Sequence, residues 1–174
     1  MMQALTFWKT VTMDNSNLLE TLLDFLHERG IPFCVIGGQA VNAYVEPLVS
    51  LDLDLAVMVE SLEELEESLK SRFQVKRFPH SLNVTLPGSD LRVQIQTDER
   101  YGEFVKRATL RSVLGVELPV ASLEDVLQGK VWAALDPQRR GSIRQKDLAD
   151  IARLVEAYPT LREQVPEEIL RRLE

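Results

Sequence analysis

The sequence predicts an α+β (mixed α/β) fold, with a small mixed sheet flanked by helices and a C-terminal helical tail. Short apolar or alternating runs typical of strands are interleaved with helical periodicities up to about residue 120. Beyond that point only helical periodicities remain, which favours α+β over a regular doubly wound fold. We therefore expect an α/β core over residues 1–120 and a helical segment over residues 121–174 packed on it.

Composition and charge limit the classes of function. The chain has 174 residues, 45% of them hydrophobic, which suits one globular domain or a domain with a helical appendage. Its net charge of −7 gives no general attraction for nucleic acid, although basic residues cluster at 106–111 and 139–146. No run is apolar enough to span a membrane, the N-terminus does not match a secretory signal, and Cys34 has no second cysteine. We expect a cytoplasmic protein without membrane contact.

Capping residues and apolar runs predict the first elements. Asn15 or Ser16 can cap a helix that runs to about Arg29. The apolar run Phe33–Ile36 predicts a buried strand, and Gly37-Gly38 ends it in a tight turn. The next predicted elements are a short helix over 39–44, a strand over Leu51–Val59 and a helix capped by Ser61.

The sequence predicts mainly strands over residues 74–120 and only helices after them. The predicted strands are Gln74–Phe78, Leu82–Leu86, Leu91–Thr97 and one or two within Thr109–Val120, which turns at Gly115. The predicted helices are Tyr101–Ala108, one capped by Ser122 that ends near Pro137, Ile143–Tyr158 and Glu167–Leu173.

Asp52 and Asp54 carry most of the functional information. Side chains alternate along a strand, so both carboxylates point to one face, about 7 Å apart along the backbone, opposite the neighbouring leucines. Ionised carboxylates this close repel each other unless a cation or a cluster of donors neutralises them. The pair suits Mg²⁺, which takes one or two carboxylates and completes its shell with water and phosphate oxygens. It therefore predicts metal-assisted phosphate chemistry, and a solvated edge strand is the alternative.

Gly37-Gly38 and Asp52-Leu-Asp54, separated by thirteen residues, resemble the signature of the DNA polymerase beta nucleotidyltransferase superfamily. Glycine lacks a side chain, so this backbone can approach a triphosphate closely and offer N–H donors. The resemblance implies a nucleotidyltransferase fold over residues 1–120. It also implies that the two glycines bind the nucleotide and that both aspartates are catalytic and hold Mg²⁺.

The helical segment carries a second resemblance. Leu123–Lys130 and Arg144–Ile151 are similar to the helical part of the abortive-infection nucleotidyltransferase-like toxins, and the similarity covers roughly residues 31–155. It implies that Lys130 approaches the nucleotide phosphates and that Asp147 helps tie the tail to the sheet. From the residues alone, Lys130 can equally face solvent, and Asp147 can pair with a neighbour on its own helix.

Two polar residues flank the motif and are predicted to bind nucleotide. Ser50 shares a strand face with Asp52, so its hydroxyl can orient a carboxylate or a phosphate. Gln39 follows the glycines, and its amide can reach phosphate or base. The alternatives are a plain polar edge position for Ser50 and a polar residue at the start of a short helix for Gln39.

Active members of the superfamily usually carry a third carboxylate on a neighbouring strand. Here the alternation of Leu91–Gln96 places Gln94, or Gln96 in another register, where that carboxylate is expected. A glutamine amide does not accept a proton at neutral pH. Asp90 and Asp98 flank this strand and would substitute only if the register slipped. Hydroxyl activation is therefore expected to be weak.

Two hypotheses of different classes follow. The leading one is a Mg²⁺-dependent nucleotidyltransferase-like protein that binds a nucleoside triphosphate and transfers a nucleotidyl group to a hydroxyl of RNA or a small molecule. The alternative is a catalytically impaired module that binds nucleotide or a partner protein, such as an antitoxin, in a toxin–antitoxin or phage-defence system. A purely structural role for the helical tail would predict no metal binding.

Overall fold

A computed structural model describes residues 2–11, 13 and 17–174. The predicted caps Asn15 and Ser16 lie outside the described residues. The described α-helices are α1 (Met2–Val11), α2 (Leu18–Glu28), α3 (Gly37–Val41), α4 (Leu62–Lys70), α5 (Gly102–Arg107), α6 (Leu123–Leu135), α7 (Gly141–Ala157) and α8 (Glu167–Leu173). Two short 3-10 helices lie at Glu99–Tyr101 and Pro159–Gln164.

The strands form one mixed sheet, which confirms the predicted fold class. They are β1 (Phe33–Ile36), β2 (Asp52–Val57), β3 (Gln74–Phe78), β4 (Ser81–Thr85), β5 (Arg92–Gln96), β6 (Thr109–Val113) and β7 (Val116–Val120). Their order across the sheet is β3-β4-β5-β2-β1-β7-β6. The pairs β2–β5 and β1–β7 are parallel, and the other neighbours are antiparallel. The central position of β2 places its side chains between β1 and β5.

The starts of α4 and α6 agree with the predicted caps, whereas α2 follows Asn17, whose side chain makes no capping hydrogen bond. The Ser61 hydroxyl accepts a hydrogen bond from the Glu64 backbone N–H at 3.2 Å, and the Ser122 hydroxyl accepts one from Asp125 N–H at 3.2 Å. Each cap satisfies an N–H that has no partner within its helix. The sequence analysis did not predict α1, which a tertiary contact helps to hold: the buried Trp8 indole donates to the Val113 carbonyl at 3.3 Å.

The core and the C-terminal helices set the position of the acidic strand. Leu53 and Leu55 are fully buried on one face of β2, so the two aspartates lie on the other face. Helices α6 and α7 pack against each other and against α3, the short helix that follows the glycine turn. The C-terminal helices therefore lie beside the aspartate face. The domain division near residue 120 stays a prediction.

Candidate active site

The aspartates of β2 lie between β1, which ends at Ile36, and β5, which carries polar side chains. Asp54 pairs with Ile36 at the end of β1 and with Gln94 on β5. Asp52 pairs with Arg92 on β5, and its Oδ1 accepts from Arg92 Nε at 2.8 Å. The sheet thus brings both aspartates to the end of β1, where the glycine turn begins.

The glycine turn touches Asp54 directly. Gly37 has a φ of +68°, a left-handed conformation that side chains disfavour. A Cβ at this position would collide with Asp54 Oδ2. At Gly38 a Cβ would lie 3.8 Å from Asp150 Oδ2, an ordinary contact. Gly37 therefore permits an approach between backbone and carboxylate that no other residue allows.

Burial dominates the electrostatics of Asp54. It raises the pKa of this carboxyl from 3.8 to about 6, the positive charge of Lys130 opposes the rise, and the negative charge of Asp52 adds to it. Ionisation of Asp54 is thus less favourable than in water, and any added cation would favour it. Asp52 is more exposed and already has the guanidinium of Arg92 as a partner.

A cavity of about 90 Å³ opens beside Asp54. Its lining residues include Gly37 of the glycine turn, Gln94 of β5 and Lys130 of α6. Arg139, from the loop between α6 and α7, also lines it. Tyr101 and Phe104 form an aromatic wall, packed edge to face with ring centroids 5.2 Å apart. The cavity therefore combines three carboxylates, those of Asp54, Asp125 and Asp147, with two cations and an aromatic surface.

Lys130 lines this cavity within a buried network of charges. Its Nζ lies 3.1 Å from Asp147 Oδ1 and 2.9 Å from Asp150 Oδ2. Burial lowers the pKa of Lys130, but the two aspartates outweigh it and leave the pKa raised, so the ammonium stays charged. Arg139 completes the network with two hydrogen bonds to Asp147, at 2.8 and 3.1 Å. Lys130 is thus buried rather than facing solvent, and Asp147 pairs with α6 and the loop after it.

The network continues from α7 to the loop between α3 and β2. Arg153 Nη1 donates to Asp150 Oδ1 at 2.9 Å, and its Nη2 donates to the Glu46 carbonyl at 2.6 Å. Asn42 closes the same loop by bonding both the N–H and the carbonyl of Leu48, at 2.9 and 2.7 Å. The C-terminal helices therefore hold the segment that leads into the acidic strand.

Gln39 and Ser50 make structural contacts. The Gln39 amide donates to the Ser50 carbonyl at 3.3 Å and accepts from the Asn42 amide at 2.9 Å. The Ser50 hydroxyl accepts from the Asp52 backbone N–H at 3.1 Å. Both side chains position the loop before β2. Their contact with a nucleotide stays a prediction.

The register of β5 shows which residue lies where the third carboxylate of active relatives is expected. Of the two predicted candidates, Gln94 pairs with Asp54, and Gln96 lies further along at Ala56. Asp90 and Asp98 lie outside β5, and Asp98 Oδ2 pairs with Arg100 at 2.9 Å. Among the described residues, no group of three His, Cys, Asp or Glu side chains is arranged to hold a metal. The acidic site therefore consists of Asp52 and Asp54.

Sequence reasoning did not assign Arg92 or Arg139 to the site. Strand alternation already placed Arg92 on the face of Gln94, so the parallel pairing of β2 and β5 was the missing information. For Arg139 no local signal exists, because its partner Asp147 comes from the next helix.

Comparison with known families supplies independent information. The model of the family described as nucleotidyl transferase AbiEii toxin, type IV toxin–antitoxin system, matches residues 30–174. This match covers the glycine turn, the acidic strand and the C-terminal helices.

Solved structures resemble this chain in fold. ANT(2'')-Ia in complex with adenylyl-2''-tobramycin has a TM-score of 0.59 at 17% identity, covering 90% of this chain and 97% of that one. JHP933 from Helicobacter pylori has a TM-score of 0.53 at 17% identity, covering 92% of this chain and 71% of that one. The lincomycin-bound lincosamide antibiotic adenylyltransferase LnuA has a TM-score of 0.51 at 11% identity, covering 82% and 99%. At these identities the likeness concerns the fold.

One curated protein also matches in sequence. The kinesin-like protein KIN-4A of Oryza sativa subsp. japonica is 30% identical over an alignment of 129 positions that covers 66% of this chain. The matched part is only 12% of that protein's length, so it transfers no activity to this chain.

Proposed function

The chain belongs to the family of AbiEii nucleotidyl transferase toxins, and on that premise we propose that it is a Mg²⁺-dependent nucleotidyltransferase. It would bind a nucleoside triphosphate and pass its nucleotidyl group to a hydroxyl acceptor, forming the bond from the acceptor oxygen to the α-phosphorus while pyrophosphate leaves and the hydroxyl proton is released. The observation that carries the proposal is the contact between Asp54 and the backbone of Gly37, with Asp52 on the same strand face. A cytoplasmic location is part of the proposal. In the part of the chain that the structure describes, no helix is long and apolar enough to span a membrane.

The donor set suits a magnesium ion bound together with a nucleotide. Mg²⁺ is typically held by one or two carboxylates, with waters and substrate phosphates in its other positions. Asp52 and Asp54 would supply the carboxylates. The pKa of Asp54, raised by burial to about 6, fits a group that gains from a nearby cation. When bound, the ion would polarise the phosphoryl group and stabilise the charge that develops on its oxygens.

The chain's own residues would bind and orient the triphosphate. The backbone at Gly37 and Gly38 can approach phosphate oxygens because no side chain intervenes, and it offers N–H donors. Lys130, charged and lining the cavity, would neutralise phosphate charge that Asp54 alone would repel. The cavity of about 90 Å³ is smaller than the several hundred Å³ of a typical ligand pocket, so the nucleoside would extend beyond it.

A second candidate function is favoured by Gln94. Its amide, paired in register with Asp54, does not take a proton from an acceptor hydroxyl. The chain would then be a catalytically impaired module that binds a nucleotide or a partner protein, such as an antitoxin, in a toxin–antitoxin or phage-defence system.

For the acceptor we propose only a chemical class, a hydroxyl-bearing small molecule or RNA. The solved neighbours include an enzyme bound to adenylyl-2''-tobramycin and one bound to lincomycin, both small hydroxyl compounds. RNA is the other acceptor class. The negative net charge of the chain does not favour it, but the basic clusters at 106–111 and 139–146 would give local attraction.

Binding of each of the four nucleoside triphosphates with Mg²⁺, measured by calorimetry, tests the site. Asp52→Asn combined with Asp54→Asn should abolish binding while the protein stays folded, because both amides fit the space of the carboxylates. The matched control is Asp24→Asn with Asp90→Asn, which removes the same charge from exposed positions. Equal binding by the wild type and the double site variant would refute the assignment.

Transfer of a labelled nucleotide separates the two candidate functions. Wild-type protein is incubated with each α-labelled triphosphate, Mg²⁺ and either total RNA or hydroxyl-bearing aminoglycosides. Label transfer that the double site variant lacks supports the transferase. Nucleotide binding without transfer to either acceptor supports the impaired module.

A further inference from the structure

A second and larger concavity lies at the far end of the acidic strand. This groove has a volume of about 700 Å³ and lies where β2 and the neighbouring β5 both end, beside the first turns of α4 and α5. It shares Gln96 with the catalytic cavity but contains neither aspartate of the site. The proposed nucleotide chemistry leaves this groove without a role.

The floor of the groove is apolar and partly exposed. Met58 is 36% exposed and lies among Pro32, Val57, Val59 and Leu62. The Met58 N–H donates to the Pro32 carbonyl at 2.9 Å, which extends the pairing of β1 and β2 and holds the floor in place. A rigid, solvent-exposed apolar surface of this kind favours contact with apolar side chains of a partner.

The rim of the groove is acidic. Its carboxylates are Glu60, Glu63, Asp98, Glu99 and Glu103, and Lys106 is the cation among its lining residues. Asp98 pairs with Arg100, and Glu103 pairs with Lys106 at 2.9 Å. Within the described part of the chain, Glu60 and Glu99 form no ion pair, and Glu63 contacts only the Ser61 hydroxyl, at 3.4 Å. The rim therefore retains a surplus of negative charge that faces solvent.

From the apolar floor and the acidic rim together, we infer that this groove docks a basic, apolar-tipped peptide segment of a partner protein. Apolar side chains of the segment would cover Met58, and its lysines or arginines would meet the unpaired carboxylates. Nucleic acid does not fit, since its phosphates would be repelled by the rim. A small polyamine would satisfy the charges but leave the floor exposed. The inference is independent of the proposed catalytic function.

Three fluorescein-labelled peptides of equal length test the inference by anisotropy. One alternates lysine and leucine, one replaces each leucine by serine, and one replaces each lysine by glutamate. The lysine–leucine peptide should bind at least about tenfold more tightly than either of the others. Added salt should weaken its binding, because the rim charges are exposed to solvent.

Variants locate the binding. Glu60→Gln, Glu63→Gln and Glu99→Gln together should weaken binding about tenfold. The matched control, Glu167→Gln, Glu168→Gln and Glu174→Gln, removes the same charge from α8 and the chain end and should change nothing. Met58→Gln keeps the size of the side chain, removes its apolar character and should also weaken binding.

A spectroscopic readout tests the inference on the unsubstituted protein, with Met58→Gln used only to assign one signal. The chain has four methionines, so methyl-labelled protein gives few signals, and Met58→Gln assigns the one that matters. The lysine–leucine peptide should shift the Met58 signal. Equal binding of the serine peptide, an unmoved Met58 signal or full competition by spermine would overturn the inference. A Met58 signal that shifts with protein concentration alone would also overturn it, since a second copy would then fill the groove.

Discussion

The carboxylates at the two ends of β2 differ in how their negative charge is stabilised. Near its start, Asp54 and the nearby Asp147 are enclosed. Lys130 and Arg139 pair directly with Asp147, and their positive charges also stabilise the ionised form of Asp54. Past its end, Glu60 and Glu99 stand in water, where no described cation pairs with them. Water solvates the second pair, whereas only neighbouring side chains can stabilise the first. Charge changes should therefore have large effects on stability at one end, in either direction, and almost none at the other.

The largest effect is expected for Lys130→Met. The variant leaves Asp147, only 1% exposed, and Asp150 without the ammonium that lies between them. Breaking a buried ion pair by removing one partner costs about 3 to 5 kcal/mol of the free energy of unfolding. Urea denaturation measures it, with Lys130→Arg as the variant that keeps the charge. A loss below about 1 kcal/mol would contradict the view that this network needs its own counter-charges.

Gly37→Ala comes next. Both Gly37 and Gly30 have positive φ values, +68° and +61°, but a Cβ at Gly30 meets nothing within 4 Å. Gly30→Ala should cost only the backbone penalty of about 1 kcal/mol, whereas Gly37→Ala should cost about 2 to 4 kcal/mol because it also displaces Asp54. Thermal or urea unfolding compares the two. Equal losses would show that the approach of Asp54 to the turn is unimportant for stability.

Asp54→Asn should stabilise the metal-free protein at neutral pH. The pKa of Asp54 is about 6 in the folded state against an ordinary 3.8, so the folded protein retains a proton that the unfolded chain has released. Stability due to this group therefore falls as the pH rises from about 4 to 6, and then stays low. The asparagine avoids this loss, a gain of about 3 kcal/mol above pH 6 that vanishes near pH 4. Urea denaturation of the wild type and the variant, in the presence of a metal chelator, measures this gain at pH 4 and at pH 7. A difference in stability that does not change with pH would be evidence against the burial of this charge.

The smallest effect is expected for Glu60→Gln. Its carboxylate lies on the exposed rim and has no cation partner among the described residues, so its loss should change the free energy of unfolding by less than about 0.5 kcal/mol. The same urea experiment as for Lys130→Met provides the comparison. A loss above about 1 kcal/mol would mean that the rim charges are structural and not free for a partner.

Local signals anticipated much of the sheet and the helix starts. The apolar run at β1, the capping serines 61 and 122 and the alternation of β5 each depend on residues a few positions apart. The alternation of β5 left Gln94 and Gln96 as candidates, and the parallel pairing with β2 placed Gln94 opposite Asp54. The start of α1 had no such signal, because its contact with β6 spans 105 residues.

The sequence by itself determined which face of β2 is acidic, where the glycine turn falls, and that β5 alternates valine and isoleucine with arginine and glutamines. Side-chain direction in a strand and the backbone freedom of glycine are local properties, so neighbouring residues suffice to predict them. Only the tertiary structure decided that Lys130 is buried between Asp147 and Asp150, that Arg92 pairs with Asp52, and that the acidic rim encloses an apolar floor. These contacts join elements far apart in the chain. Their partners depend on how helices and strands pack, which no short stretch of residues encodes.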